Sequence, residues 1–258
     1  MRNTHRRSAM PAALGLLAAA VLAACSNGGD PQAPAPQATL LKGVAATGAP
    51  MAGASISVID SDSTSVDPAA VTAGADGTYS VDVSQLKAPL IVRATATVDG
   101  AVTQTVAVVP SLVANTDNTA NVTPLTHAVA ALVAPGGDPA ALLAPATLAA
   151  NGTAARVANA SALLVNTLAT DSQIAGALGS GFNPLSTPFV ANGSGADAVL
   201  DQLGIEVSAA GVTITNLAAP LGADGLPAPV TLSAEQATTP TTVPTVSYTH
   251  LDVYKRQG

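Results

Sequence analysis

The sequence predicts an α+β protein: an antiparallel β-sandwich over residues 39–122, then a small helical region with a β-hairpin over residues 123–216. Three observations predict it. Apolar and polar residues alternate through much of positions 54–109, the period of a half-buried strand. After Asn121 the apolar period lengthens to three or four, that of a helix. The chain also has one cysteine, Cys25, so no intrachain disulfide staples it and packing must hold the elements together.

Residues 1–24 precede the fold. Arg2, Arg6 and Arg7 form a positive start, and an apolar stretch runs from Ala12 to Ala24. That stretch is short of the ~20 residues a membrane span needs and suits the apolar core of a signal peptide. Its end, Leu22-Ala23-Ala24-Cys25, resembles the lipobox of bacterial lipoprotein signal peptides. The resemblance implies cleavage between Ala24 and Cys25, a diacylglycerol on the Cys25 sulfur and an acylated new amino terminus. One acyl chain is a marginal anchor at ~0.8 kcal/mol per buried methylene, whereas three on one residue hold permanently. In the sorting rule of enteric lipoproteins, Ser26 after the cysteine favours the outer membrane of a Gram-negative cell. The competing readings are an ordinary secretory signal and an uncleaved helix.

Residues 25–38 then read as a lipidated cysteine and a Pro/Ala-rich tether, at ~3.1 Å per residue where polyproline-like. In the β region, Ala54, Ile56 and Val58 alternate with serines, and Tyr79, Val81 and Val83 with Ser80 and Asp82. Leu90, Val92, Ala94, Ala96 and Val98 continue the period, and Asp99-Gly100 signals a hairpin into residues 102–109. Six or seven short strands are expected. Gly43, Val44, Gly48, Pro50, Gly53 and Ala54, followed by Asp76-Gly77 and Tyr79, resemble the carboxypeptidase regulatory-like domain. That resemblance implies a prealbumin-type β-sandwich and a non-catalytic accessory module on an exported protein. Its residues are turn and core positions, so they bear on fold more than on function.

Thr123-Pro124 reads as an N-cap with proline at the first helical position, and Leu125, Val129 and Leu132 share a face until Gly136-Gly137. Asp138-Pro139 starts a short helix through Leu143, and Val157, Leu164, Val165 and Leu168 form another stripe. Ser194 is the expected cap of a helix carrying Val199, Leu200 and Leu203, stopped at Gly204. Residues 205–208 and 212–215 form the expected hairpin around Ala210-Gly211. Residues 188–216 are similar to a segment of uncharacterised proteobacterial lipoproteins that share an NVTPLT-type helix start, here residues 121–126. Residues 217–245, rich in Pro, Ala and Thr, read as a linker.

Residues 246–257 (VSYTHLDVYKRQ) resemble a translated sequencing adapter joined to its own inverted copy. Residues 246–258 are therefore expected to be an artifact, with the native chain continuing past Thr245. Tyr248, His250, Tyr254, Lys255 and Arg256 carry no functional argument.

Between Cys25 and Thr245 the basic residues are Lys42, Lys87, Arg93 and Arg156, against fifteen acids, a net charge of −11. No nucleic-acid partner is expected, because phosphate binding needs clustered Lys and Arg. With only Tyr79, Phe182 and Phe189 as aromatics in that span, a stacking platform for sugars or single strands is disfavoured.

Candidate chemistry is sparse. Ser84-Gln85-Leu86-Lys87 matches S-x-x-K, but lacks the S-D-N and K-T-G companions that chemistry needs, and sits at a strand end. His127 is the one histidine of residues 25–245, without ligand or triad partners in sequence, and reads as structural. Asp60, Asp62 and Asp67, with Asp76 nearby in space, could offer oxygen ligands to calcium, although solvated turns have the same composition. Asn192-Gly193-Ser194-Gly195 misses G-x-S-x-G by one position, and the N-x-S/T sites at Asn121, Asn151, Asn159 and Asn192 are chance matches. No catalytic, cofactor or metal site is expected; the assigned residues are Cys25 for lipidation and Ala24-Cys25 for cleavage. The expected function is non-catalytic display, adhesion or ligand binding at the envelope, with the membrane as one partner and an envelope protein or polysaccharide as another. The alternative is the accessory part of a larger exported enzyme, its catalytic domain beyond Thr245; a periplasmic scaffold or transport accessory is a third reading.

Overall fold

The computed structural model describes residues 37–66, 70–98, 100–222 and 225–238; the signal segment, Ala24, Cys25, Asp67, Asp99 and residues 239–258 lie outside these. Strand β1 (Leu40–Val44) is the centre of a three-stranded sheet, between β4 (Thr78–Asp82) and β7 (Asp117–Thr119). A four-stranded sheet has the order β3 (Ser65–Val66), β2 (Ser55–Asp60), β5 (Leu90–Val98), β6 (Ala101–Val109). The alternating residues Ile56, Val58, Val92 and Ala94 of one sheet and Leu41, Tyr79 and Val81 of the other fill one core. Each such Val or Ile contributes ~1.5–3 kcal/mol through removal from water.

The alternation predicts wholly antiparallel sheets, but β7 runs parallel to β1. The intervening chain passes through the whole second sheet before it returns, the long crossover a parallel pair requires. Two glycines of the turn pattern are required by the packing. A Cβ on Gly43 would overlap the Ala120 backbone carbonyl, and Gly77 holds φ at +78° while its would-be Cβ faces the Ala45 carbonyl.

The boundary expected at residue 122 does not separate two cores. Helix α1 (Pro124–Val133) packs on β6, and Ile91, Val106 and Val108 belong to its cluster. The sheet is therefore covered on both faces along residues 90–94 of β5 and 105–109 of β6, with Ala107 and Val109 turned to the first core. Thr123 caps α1 in a reciprocal pair with Thr126, and Pro124 follows it. Leu125, Val129 and Leu132 of this helix are buried, and so are Ala128, Ala130, Ala131 and Val133 beside them. A helix apolar nearly all round belongs at the centre of a fold.

Two 3-10 turns (Pro135–Gly137 and Pro139–Leu143) lead to α2 (Pro145–Asn151), α3 (Ala154–Leu168) and α4 (Ser172–Leu178). Val157, Ala160, Leu164 and Leu168 of α3 face the α1 cluster; Val165 of the predicted stripe is only half-buried. Helix α5 (Ala196–Gln202) is preceded by Gly195, not capped by Ser194, whose hydroxyl instead donates to Asn192 Oδ1. Its end needs no glycine stop, because the chain enters β8 (Leu203–Ser208) directly, and Gly204 lies inside that strand.

Strand β9 (Gly211–Asn216) completes the predicted hairpin with β8. The expected linker is partly fold. Residues 230–232 form β10 (Val230–Leu232), paired antiparallel to β9, and α6 (Ala234–Thr238) packs on α1 and α3. Leu232 and Ala237 are buried there, which is why a Pro/Thr-rich stretch is held in place. Composition hides two apolar anchors among many turn residues.

Candidate functional site

The site is a groove of about 290 Å³ on the three-stranded sheet. Lys42 and Val44 of β1, Tyr79 of β4 and Thr119 of β7 form its floor, and Pro188 and Phe189 form one wall. Asn121 holds that wall in place. Only 1 % exposed, it accepts the Val44 N–H at Oδ1 (3.3 Å) and donates through Nδ2 to the carbonyls of Thr187 (2.8 Å) and Pro184 (3.4 Å). Its backbone N–H donates to the Leu185 carbonyl at 2.8 Å. One amide side chain thus ties the loop after α4 to β1.

Tyr79, Asn121 and Lys42, three of the polar residues that line the groove, are engaged within the fold. The Tyr79 hydroxyl donates to the Ala120 carbonyl at 2.5 Å, and burial pushes its pKa far up, so it stays a neutral donor. At the exposed rim, Lys42 Nζ pairs with Asp117 Oδ2 at 2.6 Å. Apolar walls with one paired cation at the edge suit contact with a partly apolar ligand or chain segment. A second, larger groove of about 430 Å³ lies between α3 and α4, beside Val165, Leu178 and Phe182. Phe182 and Phe189 each pack one side on the helical core while lining these grooves.

The other sequence candidates are held apart in structural roles. Ser84 Oγ donates to Asp82 and accepts the Thr39 N–H, while Lys87 Nζ pairs with Asp62 at 3.0 Å. Asp62 holds the Lys87 pKa above its ordinary value, the reverse of what a catalytic base needs. Asp60 is buried and accepts the N–H groups of Asp62, Thr64 and Lys87, closing its turn. Asp76 accepts from the Thr78 hydroxyl and N–H, which hold its pKa low. Among the described residues no cluster of three His, Cys, Asp or Glu could hold a metal ion, and no helix is long and apolar enough to cross a membrane.

His127 lies half-buried on α1 and accepts the Val106 N–H at Nδ1 (3.3 Å), capping the outer edge of β6. Burial lowers its pKa, with partial opposition from Asp138. Two polar anchors escape the sequence reading. Asn121 registers there as a chance N-x-T site and as the first residue of the NVTPLT segment, and Asp197 only as a member of residues 188–216, neither with a role of its own. Asp197 is 1 % exposed and accepts the Gly193 N–H at 2.7 Å, closing the turn ahead of α5. Ser194-x-x-Asp197 has the form of a capping box, but the box does not form: the Ser194 N–H donates to Asn192 Oδ1, and Asp197 accepts from Gly193 instead. Comparison with family models, with curated proteins and with solved structures finds no match to this chain.

Proposed function

We propose that this chain is a lipid-anchored cell-envelope protein whose folded part binds or displays rather than catalyses. The observation that carries the binding role is the groove under Phe189, with apolar walls and with Tyr79 and Asn121 engaged in the fold itself. An envelope protein segment or a polysaccharide with an apolar face is the proposed occupant. The β region is proposed to be a prealbumin-type sandwich, supported by two sheets sharing one core and by Gly43, Gly77 and Tyr79 at their turn and core positions. The anchor rests on Leu22-Ala23-Ala24-Cys25.

The anchor and the groove are tested separately. Replacing Cys25 with alanine should move the protein from the detergent phase to the aqueous phase, and the wild-type amino-terminal peptide should carry acyl mass. Unchanged partitioning removes the anchor. For the groove, Phe189→Ala should weaken retention on immobilised envelope polysaccharide or protein fractions at least tenfold. Equal retention by wild type and variant on every fraction removes the binding role of this groove.

A further inference from the structure

Among the described residues, nothing covers part of the outer edge of strand β6. Val106 directs its N–H away from β5 to His127 Nδ1. In an antiparallel strand the outward groups recur every second residue, so Gln104 and Val102 also direct N–H and C=O to this edge. Among the described residues no helix caps them as His127 caps Val106: Ala101, Val102 and Gln104 are exposed, Val102 at 71 %. Sheet edges are usually guarded by charge, proline or shortness. Here β4 ends in Asp82, β7 begins with Asp117, β8 carries Glu206, and β3 and β10 have two and three residues. Strand β6, AVTQTVAVV, has neither charge nor proline over nine residues.

We propose that two copies of this chain pair antiparallel through the free edge of β6, about a two-fold axis at Thr103. The open edge is self-complementary in that register. Val102 of each copy faces Gln104 of the other as a hydrogen-bonded pair, so four backbone bonds form, and the two Thr103 residues meet as the close, non-hydrogen-bonded pair. The pairing uses residues 101–105, and His127 with α1 closes the edge beyond them. A second copy has an open edge of this same length, whereas a longer partner strand would meet His127. The contact is small, so the dimer is weak and is best trapped covalently.

The test uses the full chain with Cys25→Ser, which removes its one thiol, plus Thr103→Cys. A non-hydrogen-bonded antiparallel pair places Cβ atoms about 4.5–5.5 Å apart, close to disulfide reach. Oxidation of the Thr103→Cys variant with copper phenanthroline should give a disulfide-linked dimer on a non-reducing gel. Thr97→Cys is the control. Thr97 is exposed and opposite Val102 on β5, so its copies would be three strand spacings apart, ~14 Å, beyond disulfide reach. Adding Gln104→Pro, which removes an outward N–H and leaves the β5 ladder intact, should reduce the dimer of the Thr103→Cys variant at least tenfold. Val102→Lys should do the same, with an unchanged circular dichroism spectrum for both. Three results would overturn the proposal: no dimer from Thr103→Cys, equal yield from Thr97→Cys, or a dimer undiminished by both edge substitutions.

Discussion

Replacing Asn121 with alanine tests whether one buried amide joins the two halves of the structure. The substitution removes the acceptor of the Val44 N–H and the donor to the Thr187 carbonyl, at a position 1 % exposed. Each buried group left without a partner costs ~1–3 kcal/mol. The groove beside Asn121 admits water to one of them, so the expected total is ~3 kcal/mol rather than the maximum. With a urea slope of ~2–3 kcal/mol/M, the unfolding midpoint should fall by ~1 M. Far-UV circular dichroism follows the transition, since the chain has no tryptophan. Amide exchange should accelerate first at residues 183–187, the loop that the side chain holds. Asn121→Asp sharpens the test: it keeps the acceptor but sets a carboxylate against the Thr187 carbonyl, so it should cost at least as much at pH 7 and less as the pH falls. A midpoint shift below about 0.3 M for Asn121→Ala, equivalent to less than about 1 kcal/mol, would refute the reasoning.

Two further outcomes follow from other parts of the fold. His127 has a folded pKa below its ordinary value of 6.5, so the unfolded chain takes up the proton first. Its contribution is complete above about pH 6.5 and is lost as the pH falls through the folded value. Urea midpoints should therefore decline from pH 7.5 to pH 5, and His127→Gln, whose amide oxygen can accept the Val106 N–H, should flatten that decline; equal slopes would remove His127 as the cause. Asp76, Asp82 and Asp171 are held below 3.8, so their contributions are lost only in more acidic solution. Leu232→Ala, at a site 3 % exposed within the helical core, should cost ~2–4 kcal/mol, read as a fall in melting temperature. Leu221→Ala, 66 % exposed in the same segment, should leave it unchanged, and matching effects of the two would return the segment to the status of linker.

Local chemistry makes several elements readable in the sequence alone. Thr123-Pro124 sets the start of α1, because a hydroxyl acceptor and a preset φ satisfy helix-end geometry whatever lies around them. The β8–β9 hairpin and the period of β4 and β5 are equally local. The second face of β5 and β6 is harder to read. Its signal is the unbroken apolar runs Leu90-Ile91-Val92 and Val106-Ala107-Val108-Val109, which mark strands covered on both sides. The alternating members by themselves describe a sandwich without the helix that packs on it.

The candidate site is less legible than the fold. Asn121 and the Pro188-Phe189 pair are separated by more than sixty positions, and no spacing rule links an N-x-T triplet to a proline-containing loop. Asp60 and Lys87 have the residue types of a chemical site, and their hydrogen bonds turn one inward to a loop and the other outward to an ion pair.

The sequence by itself determined the elements with local causes: the Thr123 cap, turns, strand periods, the single thiol at Cys25 and the acidic balance of the chain. Tertiary structure alone decided that β7 lies parallel to β1, that residues 230–238 are fold, and that α1 joins both halves into shared packing. The physical reason is range. A cap or a turn is fixed by neighbours a few bonds away. A parallel strand, a buried leucine in a proline-rich stretch and an amide that bridges two loops are fixed by partners distant in sequence, which only the packed chain brings within reach.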